Sequence, residues 1–478
     1  MMLYRQTLVT MMAVAGAAVT VIGAVNTPEA SRKFVQFPAT IPRMTTAMLY
    51  PDFWEKHLVG SPGVILDAAE LNEYNRRTID RAQVLVDMNH YPLTRSRAEV
   101  LKDIRAASPE PGSARFFLDG RRFTHQDYLR REKNMNLAAI TDQVTVRWAL
   151  VTHRAALRTF PDPVAVVNDE HDPEVDMFLE TGLNTGDVLA ILHISADGQW
   201  FFVQRFNYRG WVNRDDVAIG SRDAVLHYAD REPRLVITGA RVLTAYLPDE
   251  PALSRRALDM GDSLPLAKER PAGGHIDHMS ISGHWVIELP VRRDDGTLAI
   301  RPALISRNRD VNVGYLPYTR INLIRQAFKL AGERYGWGDA AMNRDCTGFV
   351  ISVYRSMGLI LPRNSSEQRD QMLGLTLKLR QDGTEHSDPA ALDRLKTGDI
   401  FTSSSHVMLY LGKINGEHYV IHDSIELSYP KATGGTASET LRQIAVTPLL
   451  SVIDAQGRNY EDYFTTVRRP VLPEKAER

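Results

Sequence analysis

The stretch RDCTGFVISVYRSMG at residues 344–358 contains the only cysteine of this 478-residue chain. The apolar residues after Cys346 recur at the spacing of one helix face, and Asp345 is of a residue type that caps helix N-termini. We therefore expect Cys346 at or just inside the first turn of a helix. Free amide groups and the helix dipole at such an end lower a thiol pKa from about 8.5. This position favours a nucleophilic cysteine over an inert buried one.

Two histidines farther along the chain could complete a catalytic set. His406 begins the apolar strand HVMLYLG at residues 406–412, and His422 lies in a second strand, YVIHDS, at residues 419–424. A strand histidine on its own is more often bonded to a backbone carbonyl. However, a thiolate, a histidine that takes and returns its proton, and a polar group that fixes the histidine tautomer form the minimal set for acyl transfer.

Composition and charge limit the possible functions. Hydrophobic residues make up 44% of the chain and charged residues 24%, as in folded proteins. The formal net charge of −1 gives no general attraction to nucleic acid. A single cysteine excludes an intramolecular disulfide, a cysteine-based zinc site and a lipoprotein anchor. We predict no cofactor and no nucleic-acid partner.

Residues 1–27 indicate export. Arg5 precedes an apolar run at residues 8–25, and a polar stretch with Pro28 follows. This pattern is typical of a secretory signal peptide or a single membrane anchor, and its length does not decide between the two. We expect a protein of the periplasm or cell envelope.

The rest of the chain divides into four regions. Residues 45–137 show apolar positions at helical spacing, which predicts a small helical domain. Residues 140–222 and 233–318 contain short alternating strands separated by turns, which predicts two tandem β-barrels. Residues 319–470 contain the cysteine helix and both histidine strands, and they form the predicted α+β catalytic domain.

Six successive motifs resemble those of NlpC/P60 cysteine peptidases in order and spacing. Upstream, the GWV strand at residues 210–212 looks like part of a bacterial SH3 domain. The chain is therefore similar to multidomain NlpC/P60 members that have an N-terminal stabilising domain and two bacterial SH3 domains. The six motifs are YGW at 335–337, RDCTGFV at 344–350, PRNSSEQ at 362–368, TGDI at 397–400, HVMLYLG at 406–412 and IH at 421–422.

The resemblance implies a papain-like fold and a reaction. The reaction is hydrolysis of the bond between γ-D-glutamate and a diamino acid in peptidoglycan stem peptides or muropeptides. Cys346 would be the nucleophile, His406 the base and His422 the residue that orients His406. In relatives that prefer a free N-terminal L-Ala, the residues that line the substrate pocket correspond to Tyr335, Trp337, Asp345, Thr347 and Ser365.

Asp345 suits a counter-charge for the α-ammonium group of such a substrate, because a desolvated ion pair discriminates against a blocked terminus. A helix N-cap is an equally good interpretation, and the two are compatible. On the first interpretation, Asp345→Asn weakens the preference for a free amino terminus more than it weakens folding. In the first SH3 domain, side chains at residues 208–211 are the best placed to close over the substrate.

Two departures from the family pattern concern substrate preference rather than the reaction. The usual Ser after the nucleophile is Thr347, whose extra methyl group adds bulk to the pocket. The usual Gly-Gly after Trp337 is replaced by GDAAM at residues 338–342.

Other functions remain open on the sequence. The same cysteine and histidines would serve an amidase that cuts between the sugar and L-Ala, or an acyltransferase. A peptidase domain without activity would leave a cell-wall-binding SH3 protein. A metal site is a weaker alternative: His275, Asp277, His278 and His284 have a suitable composition, but without a further acidic ligand at a telling spacing we predict a polar loop.

The turn between the histidine strands bears on the pairing of His406 with His422. The dipeptide NG at residues 415–416 favours a two-residue loop, and in that register the two rings point to opposite faces of the sheet. A three-residue loop, or a compensating bulge between Leu411 and Tyr419, shifts the register by one residue and brings both rings to the face that meets Cys346. We predict one of these two irregularities.

Overall fold

A computed structural model describes residues 41–168, 172–380, 387–431, 433–453 and 460–475. The export segment predicted at residues 1–27 lies outside these ranges. Within them, no helix is long and apolar enough to cross a membrane. Helices and strands combine in an α+β protein, which confirms the predicted fold class.

The N-terminal region is mainly helical because its sequence marks the helix starts. Asp67, Ser96 and Thr124 each cap a helix and form a capping box with an acidic residue three positions later. In chain order the elements are α1 Pro51–Lys56, β1 Val64–Leu66, α2 Ala68–Arg81, β2 Thr94–Ser96, α3 Arg97–Ala107, β3 Phe116–Phe117, α4 His125–Asn134 and β4 Gln143–Thr145.

These helices pack on two different neighbours. Trp54 of α1 and Tyr74 of α2 are buried in the same apolar core as Phe349 of residues 319–470, called the catalytic region after its predicted role. Ile104 of α3 instead belongs to the core of the first SH3-like region. The helical region therefore packs against both the catalytic region and the first SH3-like region. Its limits, residues 45–137, stay a prediction.

The first SH3-like region forms a seven-stranded antiparallel sheet in the order β12-β5-β9-β10-β11-β6-β8. Alternate side chains bury Phe202 and Trp211 on one face and Val203 and Val212 on the other. Closure of this sheet into a barrel stays a prediction. The elements are β5 Arg147–Val151, β6 Ala155–Arg158, β7 Val166–Val167, β8 Leu179–Leu183, β9 Val188–Ile194, β10 Trp200–Arg205, β11 Tyr208–Asn213, β12 Val217–Gly220 and α5 Arg222–Asp230.

The second β-rich region consists of small sheets around one apolar core. Leu235, Ile287 and Leu304 lie at its centre and are fully buried. The elements are β13 Arg234–Ile237, β14 Arg241–Leu243, β15 Ala257–Asp259, β16 Ser263–Pro265, β17 His275–Ile276, β18 Met279–Ser280, β19 His284–Arg292, β20 Leu298–Ser306 and β21 Val311–Val313.

The catalytic region is a six-stranded antiparallel sheet in the order β23-β28-β24-β25-β26-β27, with helices packed on it. Leu409 and Ile421 pack with Phe349 on one face, and Tyr410 packs with Phe464 on the other. The elements are β22 Tyr318–Thr319, α6 Arg320–Lys329, α7 Cys346–Arg355, α8 Ser365–Gln371, β23 Leu375–Lys378, α9 Pro389–Leu392, β24 Ile400–Thr402, β25 Val407–Ile414, β26 Glu417–Pro430, β27 Thr436–Pro448, α10 Tyr460–Tyr463 and β28 Thr466–Arg469.

Candidate active site

Cys346 is the first residue of α7, as the sequence predicts. The side chain of Asp345 accepts the N–H of Gly348 at 2.8 Å and so caps the helix. Cys346 is only 8% exposed, and the backbone amide of Val407 lies near enough to its sulfur to favour the thiolate form and act to lower the thiol pKa. The sulfur therefore lies at the beginning of β25, next to His406.

The hairpin that carries the two histidines combines a two-residue turn with a bulge. The turn contains only Asn415 and Gly416, with φ angles of 50° and 85°, so the three-residue loop is wrong. The strand register shifts between Tyr410 and Gly412 and leaves Leu411 without a residue opposite it. The compensating bulge, which the sequence analysis gives as the alternative, is therefore present at Leu411.

This bulge brings the rings of His406 and His422 together. Nε2 of His406 lies 2.8 Å from Nδ1 of His422, and Nε2 of His422 lies 2.9 Å from the hydroxyl oxygen of Thr447 on β27. The ring of His406 also packs against Phe464. If Nε2 of His406 donates to His422, then Nδ1 of His406 is left as the basic nitrogen. The prediction that the two rings meet is confirmed, and the role of His422 stays a proposal.

The protonation of the cysteine and histidine differs from the sequence-based expectation. Burial, and then the negative charge of Asp345, raise the pKa of the Cys346 thiol to about 12. Burial lowers the pKa of His406 to about 4. The helix N-terminus therefore does not produce a thiolate in the ligand-free protein, and the expected lowering of the thiol pKa is wrong. With both groups neutral, a nucleophilic attack by Cys346 would require transfer of its proton.

Asp345 and Thr347 both contact Arg363, a residue of the PRNSSEQ motif for which the sequence predicted no role. Nη2 of Arg363 lies 2.7 Å from Oδ2 of Asp345, and the Thr347 hydroxyl is bonded to both side chains. The same guanidinium group donates to Asp339 and to Thr181 of the first SH3-like region. The negative charge of Asp345 is thus already compensated inside the protein.

Tyr335 lies close to Cys346. Its side chain is half-buried. Burial, and then repulsion by Cys346 in its thiolate form and by Asp345, raise the pKa of its phenol well above the ordinary value. The phenol hydroxyl is therefore within electrostatic reach of both groups, as a residue that lines the substrate pocket should be.

Of the remaining two pocket candidates, Ser365 contacts the segment before His406, whereas Trp337 contacts none of the other candidates through a hydrogen bond or ring among the described residues. The Ser365 hydroxyl donates to the carbonyl of Ser404 at 3.1 Å, two residues before His406. Trp337 is half-buried and begins the 3-10 segment Trp337–Met342. Among the described residues, no hydrogen bond or ring contact links its indole to the other candidates, so its part in the pocket stays a prediction.

A cleft beside Ser365 contains an acidic residue that the sequence analysis missed. This cavity of about 420 Å³ lies between α3, the first SH3-like sheet and the start of α8. The Tyr208 hydroxyl donates to Oε2 of Glu180 at 2.5 Å, and it also lies against the side chain of Asn364. Thr159 donates to the other oxygen of Glu180. No motif marks Glu180, whereas Tyr208 lies in the stretch predicted to close over the substrate.

Trp211, at the other end of that stretch, has a structural role. Its ring is fully buried, and its Nε1 donates to the hydroxyl of Ser108 at 3.1 Å. Of the predicted stretch 208–211, Tyr208 and Arg209 line the cleft.

Of the four possible metal ligands in the second β-rich region, only Asp277 and His278 lie together. Ligand atoms of Asp277 and His278 lie within 4.8 Å of one another and of Asp249. His275 and His284 bond backbone carbonyls instead. The group is largely exposed, and the interpretation as a polar loop stays a prediction.

Comparison with protein families identifies two domains. Residues 332–445 match the NlpC/P60 family, and residues 167–213 match an SH3 domain of the SH3b1 type. The chain therefore contains an NlpC/P60 domain and an SH3b domain, which confirms the resemblance found in the sequence. No curated protein matches the chain by sequence.

Solved structures of NlpC/P60 proteins resemble this chain to different extents. An NlpC/P60 endopeptidase from Photobacterium damselae subsp. piscicida is 17% identical, with a TM-score of 0.61 over 83% of this chain and 88% of that one. An NlpC/P60 family protein from Bacillus cereus ATCC 10987 is 20% identical, with a TM-score of 0.45 over 68% of this chain and 99% of that one. The peptidoglycan hydrolase RipB from Mycobacterium tuberculosis is 23% identical, with a TM-score of 0.21 over 32% of this chain and 64% of that one. The similarity to the Photobacterium damselae structure shows a shared fold.

Proposed function

We propose that the chain is a cysteine peptidase that hydrolyses the bond between γ-D-glutamate and a diamino acid in peptidoglycan stem peptides. The observation that supports this most is the arrangement of four residues. Cys346 lies near the start of β25, His406 is hydrogen-bonded to His422 of β26, and His422 is hydrogen-bonded to Thr447 of β27. The NlpC/P60 domain supports the coarser statement that the protein hydrolyses peptidoglycan. The bond cleaved and the preferred terminus are the finer parts of the proposal.

In the first step the sulfur of Cys346 attacks the carbonyl carbon of γ-D-glutamate. Nδ1 of His406 takes the thiol proton as the C–S bond forms, and it then gives that proton to the amine of the departing diamino acid. Water next hydrolyses the thioester, with His406 again as the base. His422 holds His406 in the required tautomer, and Thr447 in turn holds His422.

The N-terminus of α7 stabilises the negative oxygen of the tetrahedral intermediate. The first amide groups of a helix have no partner within it, and those of Cys346 and Thr347 lie beside the sulfur. Tyr335 keeps its proton, because its pKa is raised, and its hydroxyl is thus available as a further donor near Cys346.

We place recognition of a free L-Ala amino group at Glu180 rather than at Asp345. Arg363 already compensates the charge of Asp345, whereas no ion pair of Glu180 is found among the described residues. Hydrogen bonds to the Glu180 carboxylate come from the neutral hydroxyl groups of Tyr208 and Thr159. Glu180 also lines the cleft that borders Ser365 through Asn364. A substrate ammonium group in this cleft would gain a charge-assisted hydrogen bond.

We further propose that the enzyme acts in the cell envelope. Its substrate is found there, and residues 1–27 have the pattern of an export segment. The SH3-like region would hold the peptide over the nucleophile, because Tyr208 and Glu180 belong to it and face the cleft.

Digestion of purified muropeptides tests the proposed bond. The peptidase should release an L-Ala-γ-D-Glu dipeptide from free stem peptides, which mass spectrometry identifies. Release of the intact stem peptide from muramic acid would show an amidase instead. Absence of any product, together with binding to cell walls, would show a non-catalytic binding protein.

Glu180→Gln should reduce the preference for a free amino terminus. Loss of a hydrogen bond to a charged group costs about 1.5–3 kcal/mol, so the ratio of kcat/KM for free over N-acetylated L-Ala-γ-D-Glu-diaminopimelate should fall by about 10- to 100-fold. Glu250→Gln is the matched control, because Glu250 is also half-buried but pairs with Arg301 in the second β-rich region. An unchanged ratio in Glu180→Gln would remove the amino terminus from this cleft.

A further inference from the structure

A second cavity, remote from the candidate catalytic residues, is lined by positive side chains. It has a volume of about 290 Å³ and lies between residues 61–65 and the catalytic region. Arg320, Lys396, Arg469 and Lys475 line it, and none of the candidate catalytic residues does. Its size is at the lower limit for ligand pockets, about 300 Å³, which suits a small ion.

Arg320 is the central observation. Its side chain is 6% exposed, and its Nε is buried without an acceptor among the described residues. Its Nη1 donates to the carbonyl of Thr397, and within the same residues no carboxylate lies at ion-pair distance. A buried guanidinium group with an unused donor requires a partner, because an unsatisfied polar group costs free energy.

The backbone of Gly60 packs closely against one side of Arg320. Gly60 has a φ of 105°, and a Cβ atom there would lie 2.7 Å from Nε of Arg320. A side chain at this position would therefore clash with the guanidinium group. Glycine at position 60 permits this close packing, while Arg320 still lines the cavity.

The acidic groups nearby are already used by other cations. Asp399 accepts two hydrogen bonds from Arg469, at 2.6 and 2.7 Å, and Glu70 pairs with Lys475. Burial, and then the charge of Arg469 among others, lower the pKa of Arg320. Burial, and then the charges of both arginines, lower the pKa of Lys396. The cavity wall therefore has an excess of positive charge.

We propose that this cavity binds a phosphate-type oxyanion through Arg320 and Lys475. Guanidinium and ammonium groups at one cavity wall supply several charge-assisted donors to tetrahedral oxygens, and the anion neutralises the excess charge. The site joins the segment around Gly60 to the end of β28, so its occupation stabilises the contact of the N-terminal region with the catalytic region. Cleavage of free muropeptides does not depend on it.

Calorimetric titration of the full chain with inorganic phosphate, at constant ionic strength set with chloride, tests the site. Saturable binding is expected, together with a rise of the thermal midpoint as the phosphate concentration increases. Lys475→Ala should raise the dissociation constant by at least about threefold, the effect of losing one partly exposed charge. Lys413→Ala is the matched control: it also loses one ion pair, with Asp393, but it does not line the cavity.

A second variant and a second ligand complete the test. Arg320→Lys keeps the charge but loses the planar fork, and it should weaken phosphate binding while muropeptide cleavage is retained. Tighter binding of glycerol 1-phosphate than of inorganic phosphate would identify a phosphorylated envelope component as the source, and the reverse would identify the free ion. Absence of saturable binding, or equal weakening by Lys475→Ala and Lys413→Ala, would overturn the proposal.

Discussion

Cys346→Ser lowers kcat/KM for muropeptide cleavage by at least about 10⁴-fold, the order of loss seen when a catalytic nucleophile is removed. The serine hydroxyl is a far weaker nucleophile than a thiolate and needs stronger base activation than His406 gives. The fold is retained, because the substitution exchanges one small buried side chain for another at a capped helix start. Liquid chromatography of digests measures the rate, and circular dichroism measures the fold.

The single cysteine of the chain permits a strict control. Alkylation of the wild-type protein with iodoacetamide should modify one site and remove activity to the same extent, whereas Cys346→Ser is insensitive to the reagent. Cys346→Ala supplies the background rate without any nucleophile. Cleavage by Cys346→Ser at near the wild-type rate would show that the nucleophile lies elsewhere.

Asp345→Asn destabilises the catalytic region by about 3 kcal/mol, near the lower end of the cost of breaking a buried ion pair. Asparagine can still accept the N–H of Gly348, so the helix cap persists and the loss is that of the charge opposite Arg363. Asp339 limits the loss of stability, because its Oδ2 lies 3.3 Å from Nη2 of Arg363 and still compensates the charge of that residue. This reverses the expectation from sequence that the substitution affects substrate preference more than folding.

Urea unfolding followed by circular dichroism measures this change. The urea concentration at the midpoint of unfolding should fall in Asp345→Asn. Asp393→Asn is the control: it breaks the exposed pair with Lys413, for which we expect less than about 1 kcal/mol. Unchanged stability combined with altered terminal preference would return Asp345 to the substrate pocket.

The histidine hairpin shows how far local sequence reasoning reaches. The two-residue turn at residues 415–416 forms as the Asn-Gly dipeptide favours, because turn type depends on the φ angles of two neighbouring residues. The bulge at Leu411 depends on the whole sheet. With the turn alone, Leu409 would pair with His422; with the bulge it pairs with Ile421, and the apolar side chains of both strands meet the same core.

The sequence by itself determined the position of Cys346 at a capped helix start and the succession of NlpC/P60 and SH3 motifs, since both are encoded in short stretches. Only the tertiary structure decided that Arg363 compensates Asp345 and that Glu180 faces the cleft. Arg363 also binds Thr181, 182 residues away, and no local pattern reports such a contact. The raised pKa of the thiol has the same origin, because burial depends on how distant segments pack around one atom.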